Sequence, residues 1–245
     1  MNQARRKPNM QDALKFFALI SMILDHASYY LLKILWLRVV GRFAFAIFLF
    51  FAGYNYYKKK KLLGISFCVD HQRYFNIFLW GVILQIIQYL IFGHNIGALN
   101  ILISIIINLM LVDLVLHYEI PYYFSCLFFG FLSIYTSQII DYGNFPAIFI
   151  ILGIIAQRTR GLEFQILLIL SLLSLLVLEI QTLHFETTQI ILTSLVFIIV
   201  FLLLSNLNFE KEVKYRPLLI SRYALHVYIA HILIIYTIHV AKVAF

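Results

Sequence analysis

Charged side chains are scarce in this sequence, and cysteines are almost absent. Asp, Glu, Lys and Arg make up 12% of the 245 residues, about half of the roughly 25% that is usual in soluble proteins. Hydrophobic residues make up 63%. This composition excludes an ordinary soluble globular fold and predicts a polytopic membrane protein.

The two cysteines, Cys68 and Cys126, lie in or beside apolar runs, without CxxC spacing or a nearby histidine cluster. This pattern is typical of small buried hydrophobic residues and does not indicate a metal or redox site. The start of the chain, with Arg5, Arg6 and Lys7, is basic like that of a signal peptide, but no small-residue cleavage site follows. We therefore expect the first apolar helix to remain attached as a membrane span.

Nine apolar runs, most of about 18–22 residues, are candidates to cross a bilayer as helices. They cover about residues 14–35, 39–57, 74–92, 97–116, 121–139, 144–157, 162–180, 187–205 and 218–241. The sequence predicts an all-α polytopic transmembrane helical bundle of nine or ten spans. No soluble domain or repeat is evident, so we expect residues 1–245 to form a single membrane domain, with residues 1–13 as a short basic cytoplasmic tail.

The Lys and Arg residues are unevenly distributed between the loops. If the N-terminus is cytoplasmic, 13 of the 19 lie in inner segments, three lie in outer segments, and three lie within helices. The inner residues are Arg5, Arg6, Lys7, Lys58, Lys59, Lys60, Lys61, Arg73, Arg158, Arg160, Lys211, Lys214 and Arg216, and the outer ones are Lys33, Arg38 and Lys242. This bias predicts a cytoplasmic N-terminus and an outer C-terminus. It also accounts for the net charge of +8 without a nucleic-acid site.

Three ionisable residues interrupt the first two helices, where a membrane tolerates charge least. Asp25 and His26 lie in helix 1, and Arg42 lies in helix 2. A charge near the bilayer centre costs roughly 2.5–3.5 kcal/mol, so these residues are expected to face an interior. By helical rise, His231 of the last helix lies at a depth similar to that of His26. We expect these residues to share a polar cavity that is a reaction site. Of Asp25 and His26, one is expected to face the cavity while the other pairs with a neighbour such as Arg42.

Basic residues near the inner ends of the first two helices are candidates to bind a phosphorylated cofactor, because Lys and Arg neutralise phosphate oxygens. Lys15 lies about three turns before His26 on one face of helix 1, and its alternative role is that of a snorkelling anchor. The lysines that follow Asn55 also suit the positive-inside rule, and the two roles are compatible. The candidate cofactor-binding residues are Lys15, Asn55, Lys58, Lys59, Lys60, Lys61 and Arg73. No metal is expected, because the histidines of the last helix lack i, i+4 spacing.

Five segments, in order, resemble the TraX family. They are LKFFALISMILDH in helix 1, GRFAFAIFLFFAG in helix 2, LNIL at the start of helix 4, DYG before helix 6 and YIAHILIIY in the last helix. The resemblance covers roughly residues 14–240. One departure is Ala46, where the family usually has proline, so the kink that proline induces is not expected here.

The resemblance implies a membrane acetyltransferase that acetylates the N-terminal residue of a conjugative pilin. Its wider superfamily moves acetyl groups from cytoplasmic acetyl-CoA to acceptors beyond the membrane. The functional residues implied are Asp25, His26, Arg42, Asn100, Asp141, Tyr142 and His231. The partners implied are acetyl-CoA, membrane lipids and a pilin, in the bacterial inner membrane. A cell-surface glycan is an alternative acceptor with the same chemistry.

Acyl transfer from a thioester needs a base and a donor to the oxyanion. We assign His26 as the base, because a neutral imidazole has an ordinary pKa of about 6.5 and a neighbouring carboxylate can hold its tautomer. Arg42 or Asn100 is the candidate oxyanion donor, and Asp141 and Tyr142 are the other candidates on the acceptor side. Direct transfer and an acetyl-histidine route through His26 or His231 both remain open.

Two functions of other classes also suit buried charges. A transporter would use Asp25, His26 and Arg42 as a proton or anion relay. However, the chain lacks the paired Gly/Pro-interrupted helices and the internal symmetry of many transporters. A non-catalytic scaffold for pilus assembly is the third hypothesis. Binding of acetyl-CoA distinguishes the acetyltransferase from both.

Overall fold

The computed structural model describes residues 7–63, 71–92, 100–136, 139, 142–183 and 187–244. These ranges contain the α-helices α1 (Met10–Ala27), α2 (Leu35–Leu63), α3 (His71–Phe92), α4 (Ile101–His117), α5 (Tyr122–Thr136), α6 (Phe145–Arg158), α7 (Leu162–Leu183), α8 (Thr187–Asn206) and α9 (Ala224–Ala244). A π-helical turn, Ser28–Leu32, follows α1, and a 3₁₀ helix, Arg216–Tyr223, precedes α9. Extended pairing in these ranges is limited to an isolated bridge between Asn9 and Glu212. The predicted all-α fold class is confirmed.

Each helix corresponds to one of the predicted apolar runs, but several of the ends differ, and two of these differences have a clear cause. α1 begins at Met10 because Asn9 and Asp12 form a reciprocal cap, in which each side-chain oxygen accepts the other's backbone N–H, at 3.0 and 3.1 Å. α2 continues to Leu63, past the lysines that hydropathy alone places beyond it. Lysine is a good helix former, and its charge suits the negative C-terminal end of a helix.

Several helices have the length and composition that a membrane protein requires. In the described ranges, the four that are long and apolar enough to cross a membrane are Trp36–Lys61, Tyr74–Phe92, Thr187–Asn206 and Arg216–Lys242. The shorter apolar helices are Ile101–His117, Tyr122–Thr136, Phe145–Arg158 and Leu162–Leu178. The apolar helices therefore fit a membrane protein, while nine spans and a cytoplasmic N-terminus stay predictions.

The chain forms two compact units. The first consists of Met1–Phe48 and Leu178–Phe245, and the second consists of Leu49–Val177. α2 and α7 contribute residues to both units. The single membrane domain stays a prediction, and each unit is described by itself below.

In the first unit, α1 and its π-helical turn run parallel to the 3₁₀ helix and α9. The side-chain pairs that join them are Asp12–Arg222, His26–His231 and Tyr30–Tyr236. Each successive pair lies further along both segments, which fixes the parallel direction. The first is an ion pair in which Arg222 Nη2 donates to Asp12 Oδ2 at 2.7 Å. It anchors the beginning of α1 and sets the register in which the histidines meet.

In the second unit, α6 is the buried central helix. Phe145 to Ala156 are all buried, which is the expected environment of a helix that is apolar on every side. α2 crosses α6 at two glycines. A Cβ on Gly53 would lie 2.6 Å from the Ile150 carbonyl carbon, and a Cβ on Gly153 would lie 2.7 Å from Tyr54 N. Only glycine permits so close an approach of two helix backbones.

A buried hydrogen-bond network fixes the loop that precedes α6. Asn144 donates from Nδ2 to Asn108 Oδ1 at 3.1 Å and from its backbone N to Ser133 Oγ at 3.0 Å. Its Oδ1 accepts from Thr136 Oγ1 at 2.8 Å. The network joins α4, α5 and the start of α6, and so determines where the residues just before Asn144 lie. Tyr142, two residues earlier, has a left-handed φ of 59°, a conformation that costs a non-glycine residue about 1–2 kcal/mol.

Candidate functional site: a histidine pair beside an arginine–aspartate cluster

The centre of the candidate site is a direct hydrogen bond between two histidines of the first unit. His26 Nδ1 and His231 Nε2 are 2.7 Å apart. His231 Nδ1 is 2.9 Å from the carbonyl oxygen of Val227, one turn earlier on α9. Because a carbonyl oxygen can only accept, His231 Nδ1 carries the proton and donates it to Val227.

The tautomers of both rings follow from this contact. In a neutral imidazole only one nitrogen is protonated, so His231 Nε2 is an acceptor. His26 Nδ1 must then carry the proton that it donates to His231. The remaining nitrogen, His26 Nε2, is left with its lone pair, which is the state that a general base requires. His231 therefore takes the tautomer-holding role that a carboxylate has in many catalytic pairs.

One tyrosine ring packs against both histidines. His231 is buried, with 7% of its surface exposed, and Tyr228 packs edge-to-face against His26 and His231 at centroid distances of 5.8 and 5.5 Å. About one turn beyond the two histidines, the hydroxyls of Tyr30 and Tyr236 lie 3.4 Å apart. The Tyr228 contacts restrict the rotation of both imidazoles.

Asp25 lies between two arginines of α2. Its Oδ1 is 3.8 Å from Arg38 Nε and 3.8 Å from Arg42 Nη2. Asp25 can approach α2 this closely because residue 41 is glycine: a Cβ on Gly41 would lie 2.5 Å from Asp25 Cγ. Two guanidinium groups therefore lie beside one carboxylate, next in sequence to His26.

Arg38 is the residue of this cluster that the sequence does not single out. Hydropathy places it in an outer loop, but the structure places it in the first turn of α2, with its guanidinium 4.9 Å from the centre of the Tyr29 ring. Arg38 Nε and Asp25 Oδ1 are buried and have no hydrogen-bond partner among the described residues. The available signal was spacing, because Arg38 and Arg42 are four residues apart and share one helix face.

The structure brings four predicted catalytic residues, His26, Asp25, Arg42 and His231, into the first unit. Lys15 also belongs to this unit and is half-buried on α1. The predicted residues of the second unit that lie in described ranges are Asn55, Lys58, Lys59, Lys60, Lys61, Asn100 and Tyr142. Asp141, the side chain of Arg73 and Cys68 lie outside the described part of the chain.

Asn100 has a local structural role. Its Oδ1 accepts from Leu102 N at 2.9 Å and thereby caps α4, and its backbone N donates to Gln85 Oε1 at 2.6 Å. Because the side-chain oxygen is engaged in capping, the position of this residue is explained without a ligand. A catalytic role for Asn100 stays a prediction.

An apolar groove of about 240 Å³ lies in the first unit between α1, α2 and α8. Its lining residues are Phe17, Ser21, Val40, Phe43, Val196 and Ile199. Ser21 supplies its single polar side chain, one turn before Asp25. A lining of this kind suits hydrocarbon better than the amide groups of a pantetheine arm, so we do not assign the groove to a coenzyme.

The described residues contain no group of three or more His, Cys, Asp or Glu side chains placed to hold a metal ion. What these residues do provide is an oriented imidazole base beside a cluster of two arginines and one aspartate. Apolar helices around such a site define a helical membrane-type protein with the means for proton transfer.

Comparison with known proteins gives the family. The family model described as TraX protein matches residues 10–239, so the chain belongs to the TraX family, and the resemblance noted from its motifs is confirmed. An uncharacterized protein of Rickettsia prowazekii (strain Madrid E) is 29% identical over 260 residues, which cover 98% of this chain and 96% of that protein. No solved structure matches this chain. Membership of this family suggests a function of the pilin-acetylation type.

Proposed function

We propose that this protein is a membrane acetyltransferase that transfers the acetyl group of acetyl-CoA to an acceptor amine. The observation that carries the proposal is the hydrogen-bonded chain from His26 through His231 to the Val227 carbonyl. It leaves one imidazole nitrogen unprotonated and oriented, as a general base requires. Membership of the TraX family supports the same class of reaction.

In the proposed reaction, His26 Nε2 takes a proton from the acceptor amine as the amine nitrogen bonds to the acetyl carbonyl carbon. His231 Nε2 still accepts the Nδ1–H of His26 and so stabilises the imidazolium that forms. The carbon–sulfur bond then breaks, and the leaving thiolate of coenzyme A takes the proton back from His26 Nε2. The steps balance without a protein nucleophile, which favours direct transfer over an acetyl-histidine intermediate.

Arg42 is the proposed donor to the oxyanion. It is 3% exposed, and its Nη2 lies 3.8 Å from Oδ1 of Asp25, the residue that precedes His26. Electrostatic stabilisation is strong where water is excluded, and one oxyanion donor is worth roughly 3–4 kcal/mol in other acyl transferases. Asp25 then acts as a positioning residue, because its carboxylate lies between Arg38 and Arg42.

The proposal includes the topology and the acceptor. We place nine spans in the bacterial inner membrane, with a cytoplasmic N-terminus, coenzyme entry from the cytoplasm and the acceptor at the outer face. The excess of Lys and Arg in the inner segments supports this orientation. The parallel direction of α1 and α9 supports an odd number of spans, because odd-numbered spans cross in the same sense. The N-terminus of a pilin is the acceptor that the family favours, and Asp141 and Tyr142 are proposed to contact it.

The test of the catalytic assignment is acetyl transfer from labelled acetyl-CoA in membranes that contain the protein. We expect His26→Ala to lower the rate at least about 100-fold, the low end of general-base catalysis. The matched control is His226→Ala, which removes an exposed histidine of the same α9 helix and should keep normal activity. Near-normal turnover by His26→Ala, at equal membrane expression, would refute the assignment.

The acceptor is tested separately, in cells from which the gene has been deleted. Mass spectrometry of the pilins should show the loss of one acetyl group from the N-terminal residue, with surface glycans unchanged. Loss of acetyl groups from the glycans alone would instead assign the activity to a sugar acceptor. If the pilins and the surface glycans both remained fully acetylated in these cells, the proposed function would be contradicted.

A further inference from the structure

An exposed arginine of the second unit is held between two tyrosine rings. The guanidinium carbon of Arg158, at the end of α6, lies 4.8 Å from the centre of the Tyr57 ring and 5.4 Å from that of Tyr122. Arg158 Nε also donates to the Tyr57 hydroxyl at 2.8 Å. The side chain is therefore fixed in orientation although it is exposed.

These contacts engage one edge of the guanidinium and leave the other edge available. In the described part of the chain, the terminal nitrogens of Arg158 have no carboxylate partner. The next acidic residue along the chain, Glu163, is exposed. A guanidinium that is stacked and oriented in advance loses little conformational entropy when it binds an anion. Its free nitrogens form the planar fork that matches a phosphate group.

Further cations surround Arg158. Arg160, two residues later, hydrogen-bonds the Tyr54 side chain. Tyr54 and Tyr57 are on α2, and Lys58 and Lys61 each lie four residues after one of them, so both lysines continue the same helix face beyond the tyrosines. The lysines and the two arginines thus belong to one end of the second unit.

We propose that this end of the second unit binds the phosphate groups of coenzyme A, with Arg158 as the oriented contact and Lys58, Lys61 and Arg160 as surrounding charges. This inference rests on the proposed use of acetyl-CoA. It adds the α6–α7 turn to the lysines of α2 as part of the coenzyme site. A topological anchor alone needs positive charge here, but it does not need an arginine fixed between two aromatic rings.

The test compares the binding of coenzyme A, 3′-dephospho-coenzyme A and pantetheine to the full-length protein in detergent, by calorimetry at fixed ionic strength. We expect the preference of the wild-type protein for coenzyme A over pantetheine to fall about tenfold or more in Arg158→Gln. Arg158→Lys keeps the positive charge but lacks the planar N–H donors of the guanidinium, so its preference for coenzyme A should fall less. Lys214→Gln, which removes an exposed lysine of the first unit, is the control and should keep the wild-type preference.

The three ligands also show which phosphate is bound. If Arg158→Gln reduces mainly the difference between coenzyme A and its 3′-dephospho form, Arg158 contacts the 3′-phosphate. If it reduces the difference between the 3′-dephospho form and pantetheine, Arg158 contacts the pyrophosphate. An unchanged preference in Arg158→Gln, or an equal fall in Lys214→Gln, would overturn the inference and leave the acetyltransferase intact. Absence of coenzyme A binding by the wild-type protein would overturn the proposed function as well.

Discussion

Replacing His231 separates its role as an acceptor from its role in packing. His231→Leu fills a similar volume but removes the nitrogen that accepts from His26 Nδ1 at 2.7 Å. His231→Gln is the matched variant, because its side-chain oxygen reaches about as far as Nε2 and accepts a hydrogen bond. We expect the leucine variant to lose activity and the glutamine variant to keep most of it.

The size of the activity loss in His231→Leu follows from the hydrogen bond that the variant removes. Without an acceptor, the Nδ1–H tautomer of His26 leaves an unsatisfied donor, which costs about 1–3 kcal/mol. The ring then shifts its proton to Nε2, which is the nitrogen that has to act as the base. A loss of about 1–3 kcal/mol in the population of the active tautomer lowers the rate about 5- to 150-fold.

The assay is the initial rate of acetyl transfer in membranes, normalised to the amount of folded protein. The ratio of the two variants is the informative quantity, because both lose the imidazole and its contact with Val227. A glutamine variant at least five times faster than the leucine variant, as the low end of the range implies, supports the tautomer argument. Equal rates would refute it, since acceptance of a hydrogen bond would then be irrelevant.

Two further predictions concern the packing that positions the site, and both are read as thermal unfolding in detergent. Gly41→Ala places a Cβ 2.5 Å from Asp25 Cγ and should destabilise the protein by about 1–3 kcal/mol. The control is Gly130→Ala, because the added Cβ makes only an ordinary contact at 3.8 Å. Equal melting temperatures of the two variants would contradict the close approach at Gly41. Arg222→Met should cost about 2–4 kcal/mol because Asp12 is left unpaired. Asp12→Asn/Arg222→Met should recover part of this loss, and a double variant no better than the single one would show that charge burial is not the cause.

The positions of the helices were predictable from the sequence, and so was the need of the charged residues within them to face an interior. Both depend on local sequence. An apolar run must satisfy its backbone hydrogen bonds internally, so it forms a helix whatever its neighbours. The cost of burying Asp25, His26 and Arg42 likewise follows from residue type and depth alone. Exact ends were less predictable, as the early start of α1 and the late end of α2 show, because caps and charge–dipole effects involve single residues.

By itself the sequence determined an all-helical chain of apolar segments, its membership of the TraX family and a short set of residues that need an interior to face. Only the tertiary structure decided that His231 sets the tautomer of His26, that Arg38 joins the cluster around Asp25, and that α6 is the buried helix of its unit. The physical reason is that these features depend on distances between residues far apart in the chain. Such distances arise from packing at positions like Gly41, where the absence of one side chain lets two helices meet.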